Sequence, residues 1–233
     1  MSALFYTEKE LSSVVQIPPD EAKHLIKVLR HDKGDEIFFT DGKGTLYTAV
    51  LEETNYEFCL ARIIRKSDGH GRRDFRLHIA IAPTKNTDRL EWFLEKATEI
   101  GVDEITPIIC RRSERRELKT DRLQKILIGA IKQSFQTYLP RLNEPTEFTA
   151  ILSKSADQRF IAHLEKTNPQ QLKDVCQKGK EVLILIGPEG DFHADELVAA
   201  KTAGFVPTAM GFTRLRTETA GVMASAILSM INQ

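Results

Sequence analysis

The stretch Val182-Leu-Ile-Leu-Ile186-Gly187-Pro188-Glu189-Gly190-Asp191 decides the fold of this chain. Five apolar residues run without alternation, which reads as a strand buried on both faces, the kind that parallel sheets contain. The glycines that follow let the backbone turn tightly or let a ligand approach it closely, and Pro188 stiffens the turn. Spacing alone leaves two readings open, a plain strand-to-helix turn and a ligand loop. The loop lacks the Gly-Lys-Ser/Thr of a Walker phosphate loop and the G-x-G-x-x-G dinucleotide fingerprint.

Outward from this strand, the chain alternates strand-like and helix-like segments. Upstream lie a strand over 75–82, a helix over 88–100, a strand over 105–110, a long amphipathic helix over 121–139, a strand over 159–164 and a helix over 170–177. Downstream lie a helix over 194–203, a strand over 206–210 and a helix over 218–231. That alternation predicts an α/β domain with a parallel sheet covered on both faces. Ligands of such sheets sit outside the C-terminal strand ends.

A second strand-end loop, Met210-Gly-Phe-Thr-Arg-Leu-Arg-Thr-Glu-Thr-Ala220, leads into the last helix. Thr217 or Thr219 is placed to cap that helix, and Glu218 suits its positive end. Arg214 and Arg216 do not, unless an anion or Glu218 offsets them. They either point to solvent or serve a ligand.

Before residue 70 the pattern differs. A helix over 19–30 starts at Pro19, with Asp20 and Glu21 in its first turn and Leu25, Val28 and Leu29 on one face. Strand-like runs follow at 36–40, 46–51 and 56–64, with a hairpin signal at Asp41-Gly-Lys-Gly44. Ser67-Asp-Gly-His-Gly71 reads as a linker. The expected domains are therefore 1–70, small and β-rich, and 74–233, α/β.

Composition bounds the function. The chain has 233 residues, 41% hydrophobic and 28% charged, with 33 basic residues against 33 acidic ones. This is a globular composition with no net charge to drive general nucleic-acid binding. Six basic residues against two acidic ones lie between Arg62 and Arg76, and seven against three between Arg111 and Lys125. Each window is thus +4, on a remainder of −8. Such stretches are either solvated faces or tracks for a phosphate backbone. The three cysteines, Cys59, Cys110 and Cys176, are far apart and form no C-x-x-C pair, against a zinc site or a disulfide framework. Acids at Glu8 and Glu10 stand where a signal peptide needs an apolar run, and nothing approaches the roughly 20 apolar residues of a membrane helix. A cytoplasmic protein with no metal is expected.

Four motifs in order resemble one family across nearly the whole chain: His24-Leu-Ile-Lys-Val-Leu-Arg30, Glu95-Lys-Ala-Thr-Glu-Ile-Gly-Val-Asp-Glu-Ile-Thr-Pro107, Leu185-Ile-Gly-Pro-Glu-Gly190 and Met210 to Ala220. They resemble the bacterial 16S ribosomal RNA (uridine-N3)-methyltransferases, the RsmE family of the SPOUT superfamily. The chain departs from the pattern at Asp191, where glycine is usual, and at Met210, where leucine is. It departs again at Lys132-Gln-Ser-Phe-Gln136, where an expected arginine is absent and Arg141 is the nearest replacement.

The resemblance implies a PUA-like RNA-binding β-barrel followed by a SPOUT domain with a C-terminal trefoil knot. It also implies a homodimer, S-adenosylmethionine as cofactor, and 16S ribosomal RNA in the small subunit as substrate. Leu185, Ile186, Gly187, Pro188, Glu189, Gly190, Met210, Gly211, Leu215, Thr217 and Thr219 would form the cofactor site. Uracil N3 reacts only when its proton leaves, so the reaction needs a cation near the uracil carbonyls and a proton acceptor. Arg216 is the candidate for the first role and Glu218 for the second, although Glu218 suits a plain helix-start ion pair equally. His24, Arg30, Arg72, Arg73, Lys85, Arg89, Arg112 and Arg115 are candidate RNA contacts, with His24 equally placed for packing. The alternative is a non-catalytic ribosome- or RNA-binding protein that retains the fold.

Overall fold

A computed structural model describes residues 3–11, 13–164 and 170–233. Its contacts divide the chain into two units. The first runs to Arg72 and takes in Ile131–Leu139, and the second comprises Arg73–Ala130 and Pro140–Gln233.

In the first unit, β1 (Leu4–Tyr6), β3 (Glu36–Thr40), β4 (Leu46–Thr54), β5 (Cys59–Ser67) and β2 (Val14–Ile17) form one sheet in that spatial order. The first pair is parallel and the rest are antiparallel. Register shifts between Thr48 and Ala49 and between Leu51 and Glu53 add twist and curl the sheet into a half-barrel. Its concave side is filled by Phe5, Ile17, Ile37, Phe39, Leu51 and Ala61, with Ala22 and Leu25 of α1 (Pro19–Lys27). That helix ends three residues before the predicted Arg30, which turns with φ +59°. β1 and β2 carry only three and four residues, too few to show a period in sequence.

The second unit is built on β6 (Arg76–Ile81), β7 (Glu104–Ile109), β8 (Arg141–Leu142), β9 (Thr146–Glu147), β10 (Gln158–Ala162), β11 (Glu181–Ile186) and β12 (Val206–Thr208). They run in the order β12-β10-β11-β6-β7-β8, with β9 also on β7, and every pair is parallel. The apolar run therefore lies at the centre, and Leu183, Ile184 and Leu185 are wholly buried. The connecting helices are α2 (Thr87–Ile100), α3 (Thr120–Ser134), α4 (Phe148–Ile151), α5 (Leu172–Val175), α6 (Ala194–Thr202) and α7 (Thr217–Ile231). Gly101 ends α2 at φ +113°, a conformation closed to most residues. At Gly221 a side chain would overlap the Phe93 ring at 2.5 Å, so α7 approaches α2 as closely as backbone allows.

Three predicted helices are shorter than their sequence patterns. α1 is one. α3 stops at Ser134 because Phe135 turns to φ +58° and sets its ring edge-on to Phe38. The helix expected over 170–177 is a single turn, since Gln171 is engaged in a bridge with Ala209.

Candidate active site

Three loops leave the C-terminal ends of β10, β11 and β12 and enclose a cavity of about 620 Å³. That is the size of a small-molecule site. β11 delivers Ile186, Gly187, Pro188, Glu189 and Gly190 to the lining; β12 delivers Met210, Gly211, Leu215, Arg216 and Thr217. Two expected cofactor residues fall outside it. Leu185 is wholly buried in β11, and Thr219 lies between the lining residues Thr217 and Ala220 without lining the cavity itself.

The β11 loop is held by groups from two other strand ends. The backbone N–H of Lys85 donates to the Glu189 carboxylate at 3.0 Å. The Arg112 guanidinium donates to the carbonyl oxygens of Gly190, at 2.6 Å, and Phe192, at 3.3 Å. Arg115 donates to the Lys85 carbonyl, and the Lys85 ammonium pairs with Glu114 at 2.9 Å. Three residues expected to touch RNA thus brace this loop.

The two cavity loops are joined directly. The Thr217 hydroxyl donates to the Gly187 carbonyl at 2.9 Å. It is therefore not the cap of α7: Arg216 holds that position, at φ −72° and ψ 158°, and its side chain caps nothing. Thr219 does not cap either.

Arg216 lines the cavity and is exposed. Glu218 does not line it. The residue is only 6% exposed, Oε1 lies 3.8 Å from the Arg89 guanidinium, and Oε2 is buried without a hydrogen-bond partner. The structure brings Glu218 to Arg89 rather than to the cavity. Arg73 is also turned inward, donating to the Gly101 carbonyl and pairing with the Asp103 carboxylate. His24, Arg30 and Arg72 are exposed on the first unit. Arg141 pairs with Glu104 in the β8–β7 register, at the N-terminal strand ends, and so does not replace the missing arginine at the cavity.

Sequence reasoning missed the β10 loop. Ala162, His163, Leu164 and Thr208 complete the lining, and His163 Nδ1 lies 3.2 Å from the Asp191 carboxylate. No motif marks His163; only the pairing of β10 with both β11 and β12 brings it here. Asp191 sits at φ +64°, so the position that departs from glycine keeps a glycine-like backbone, one that aspartate tolerates better than most residues.

The lining suits a nucleoside-sized ligand. Ile186, Pro188, Leu215 and Ala209 offer apolar walls. Thr208 Oγ1 is buried there without a hydrogen-bond partner among the described residues, a cost that a polar ligand would remove. At Gly211 a side chain would meet nothing within 4 Å, so that stretch of backbone is open to an incoming molecule. Among the described residues no cluster of histidine, cysteine and carboxylate side chains has the arrangement of a metal site.

A parallel-sheet domain with such a cavity, preceded by a curled β-sheet, is the architecture of an RNA methyltransferase. The RNA methyltransferase domain model matches residues 72–229, and the RNA methyltransferase PUA domain model matches residues 17–64. The chain belongs to the ribosomal RNA small subunit methyltransferase E family. A curated relative of that name from Mesomycoplasma hyopneumoniae is 31% identical over 70% of this chain and 73% of its own. Another, from Bacillus subtilis, is 25% identical over 94% and 91%. Among solved structures, a probable rRNA-methyltransferase from Porphyromonas gingivalis is 39% identical over 99% of this chain and 98% of its own, with a TM-score of 0.89. A ribosomal RNA small subunit methyltransferase E from Neisseria gonorrhoeae, bound to S-adenosyl methionine, is 27% identical over 100% and 98%, with a TM-score of 0.87.

Proposed function

We propose that this protein transfers a methyl group from S-adenosylmethionine to N3 of a uridine in the 16S ribosomal RNA of the small subunit. The observation that carries the reading is the cavity itself: three strand-end loops, the buried Thr208 hydroxyl without a partner and the exposed guanidinium of Arg216. When bound, the cofactor supplies an electrophilic methyl group for in-line displacement, which needs no metal.

The chain's own residues supply placement and charge. The backbones of Ile186, Gly187, Gly190, Met210, Gly211 and Leu215 hold the adenosine portion, with Pro188, Glu189 and Thr217 shaping the walls. Holding the reactants in line accounts for much of the rate. Arg216 stabilises the negative charge that develops on a uracil carbonyl as N3 gives its proton to water. From the start of α7, Glu218 orients Arg89 of α2.

In this reading residues 1–70 are a PUA-like RNA-binding barrel and residues 74–233 a SPOUT methyltransferase domain with a trefoil knot. The knot is read from the family; after edge strand β12 the chain returns to pack α7 on β6, β11 and α2. RNA contacts come from His24, Arg30, Arg72, Lys85, Arg89, Arg112 and Arg115; Arg73 serves the fold instead. The protein is a homodimer, a reading supported by the exposed apolar side chains Met223 and Met230 on α7. It is cytoplasmic, and no helix among the described residues is long and apolar enough to cross a membrane.

Two measurements test this. S-adenosylmethionine raises the melting temperature in a titration; no shift at high ligand would sink the cofactor assignment. Small subunits from a strain lacking the activity gain 3-methyluridine when incubated with protein and cofactor. Methylation of another base would overturn the uridine assignment, and cofactor binding without methylation would favour the non-catalytic alternative.

A further inference from the structure

We propose that Phe212, with Arg214 beside it, forms a stacking platform that receives a nucleobase drawn out of the RNA toward the cavity. The proposal rests on the methyl-transfer reading and adds to it the surface that holds the base.

Phe212 is 83% exposed. Of the chain's 12 phenylalanines, the other 11 are buried or half-buried. Its two chain neighbours, Gly211 and Thr213, line the cavity while Phe212 itself does not, which puts the residue at the cavity's edge. Arg214 and Arg216 follow it, both exposed and both on the cavity lining. Neither guanidinium is in an ion pair or side-chain hydrogen bond among the described residues. An isolated exposed apolar side chain needs no explanation on a general surface. Here the exposed ring belongs to a loop that lines a nucleoside-sized cavity and carries two exposed cations.

The chemistry asks for such a surface. N3 of a uracil inside a stacked or paired segment is out of reach, and enzymes that act on a base take it out of its stack. The flat face of an aromatic ring replaces the stacking lost, and guanidinium groups hold the adjoining phosphates or stack in turn. Phe212 supplies the first and Arg214 the second. Arg216 stays with the developing charge on the base.

The test compares Phe212→Ala, Phe212→Leu and Phe212→Tyr with the wild-type protein on small ribosomal subunits. Titration calorimetry with S-adenosylmethionine and sedimentation of each protein accompany the kinetics. We expect kcat/KM for subunits to fall about 5- to 150-fold in the alanine variant, the range that loss of one stacked base gives. The leucine variant falls similarly, tyrosine stays near wild type, and cofactor affinity and sedimentation do not change. Full activity in the alanine variant overturns the platform. So does full activity in the leucine variant, which would show that apolar bulk rather than an aromatic face is used. Changed sedimentation of the alanine variant overturns it too, by placing the ring in a contact between copies of the chain. A wild-type protein that methylates no RNA removes the functional reading and the platform with it. A wild type active on a different base overturns only the uridine assignment, because the ratio of variant to wild type is then taken on that base.

Discussion

Arg216 and Glu104 lie at opposite ends of the same parallel sheet, in opposite surroundings. At the C-terminal ends of β10, β11 and β12, Arg216 is exposed, and Thr208 Oγ1 is buried without a hydrogen-bond partner among the described residues. At the N-terminal ends of β6, β7 and β8, Glu104 is 5% exposed and fully engaged. It accepts from Asn143 Nδ2 at 2.8 Å and Lys154 Nζ at 3.3 Å, with Arg76 at 3.8 Å and His78 Nε2 at 3.9 Å. Beside it, Asp103 accepts from the Leu77 backbone N–H at 2.7 Å and pairs with Arg73. One end surrounds its buried carboxylates with partners inside the protein; the other leaves a buried hydroxyl and an exposed cation for something outside it. The difference separates charges that hold the fold from charges that are available for chemistry.

The sharpest break of this contrast is Arg216→Ala. Turnover on small subunits should fall about 10²- to 10³-fold, as when one preorganised charge-stabilising donor is removed. S-adenosylmethionine affinity and melting temperature should stay near wild type. Wild-type turnover would remove Arg216 from the mechanism, and a large loss of stability would mean that the open end also carries the fold.

Glu104→Ala should do the reverse. Removing one member of a buried ionic cluster leaves cations unpaired, and the loss should be about 3 kcal/mol in chemical denaturation. Cofactor affinity measured on the folded protein should be unaffected. A variant as stable as wild type would show that the closed end is not held by its charges.

Thr217→Val removes the bond between the two cavity loops. We expect a loss of about 1 kcal/mol in stability, the ordinary worth of one hydrogen bond, and weaker S-adenosylmethionine binding by calorimetry. Unchanged affinity would show that Thr217 shapes α7 alone.

The smallest effect is a pH slope at the closed end. Burial pushes the His78 imidazole from 6.5 down to about 4, against the opposing pull of the Glu104 carboxylate, with Lys154, Arg76 and Arg141 adding to the depression. Between those values the unfolded chain binds a proton that the folded chain refuses. This contribution is therefore whole above about pH 6.5 and is lost as pH falls toward 4, by at most about 1.4 kcal/mol per pH unit. Glu104, whose pKa is lowered, loses its charge only below its ordinary 4.5 and so acts below most of this window. Denaturation curves at pH 7 and pH 5 should differ for wild type and converge for His78→Gln. An equal slope in the variant would assign it to other groups.

How much of this was legible in sequence follows the length of each signal. The run Val182 to Ile186 has too many consecutive apolar residues for a half-exposed strand, and it proved to be the sheet's buried centre. α2 and α7 matched their periodic patterns within one residue at either end. β8 and β9, two residues each, carry no period and exist only through their pairing with β7. Within the site, the β11 and β12 loops were legible because glycine, proline and arginine are unusual choices at strand ends. His163 was not, because an isolated histidine after a short strand has no local signature. The bracing roles of Arg112 and Arg115 were hidden in a basic stretch, since charge alone does not tell a guanidinium bound to a carbonyl from one in solvent.

The sequence by itself determined the class of fold, the two cavity loops and the family, because burial pattern and backbone-dictating residues act locally and leave a mark on consecutive positions. Only the tertiary structure decided which polar groups are satisfied. It turned Glu218 toward Arg89 and Arg73 toward Asp103, and it left His163, Thr208 and Arg216 at the cavity. A hydrogen bond or ion pair depends on distance between residues far apart in the chain, and that distance is set by the packing of the sheet rather than by any one segment.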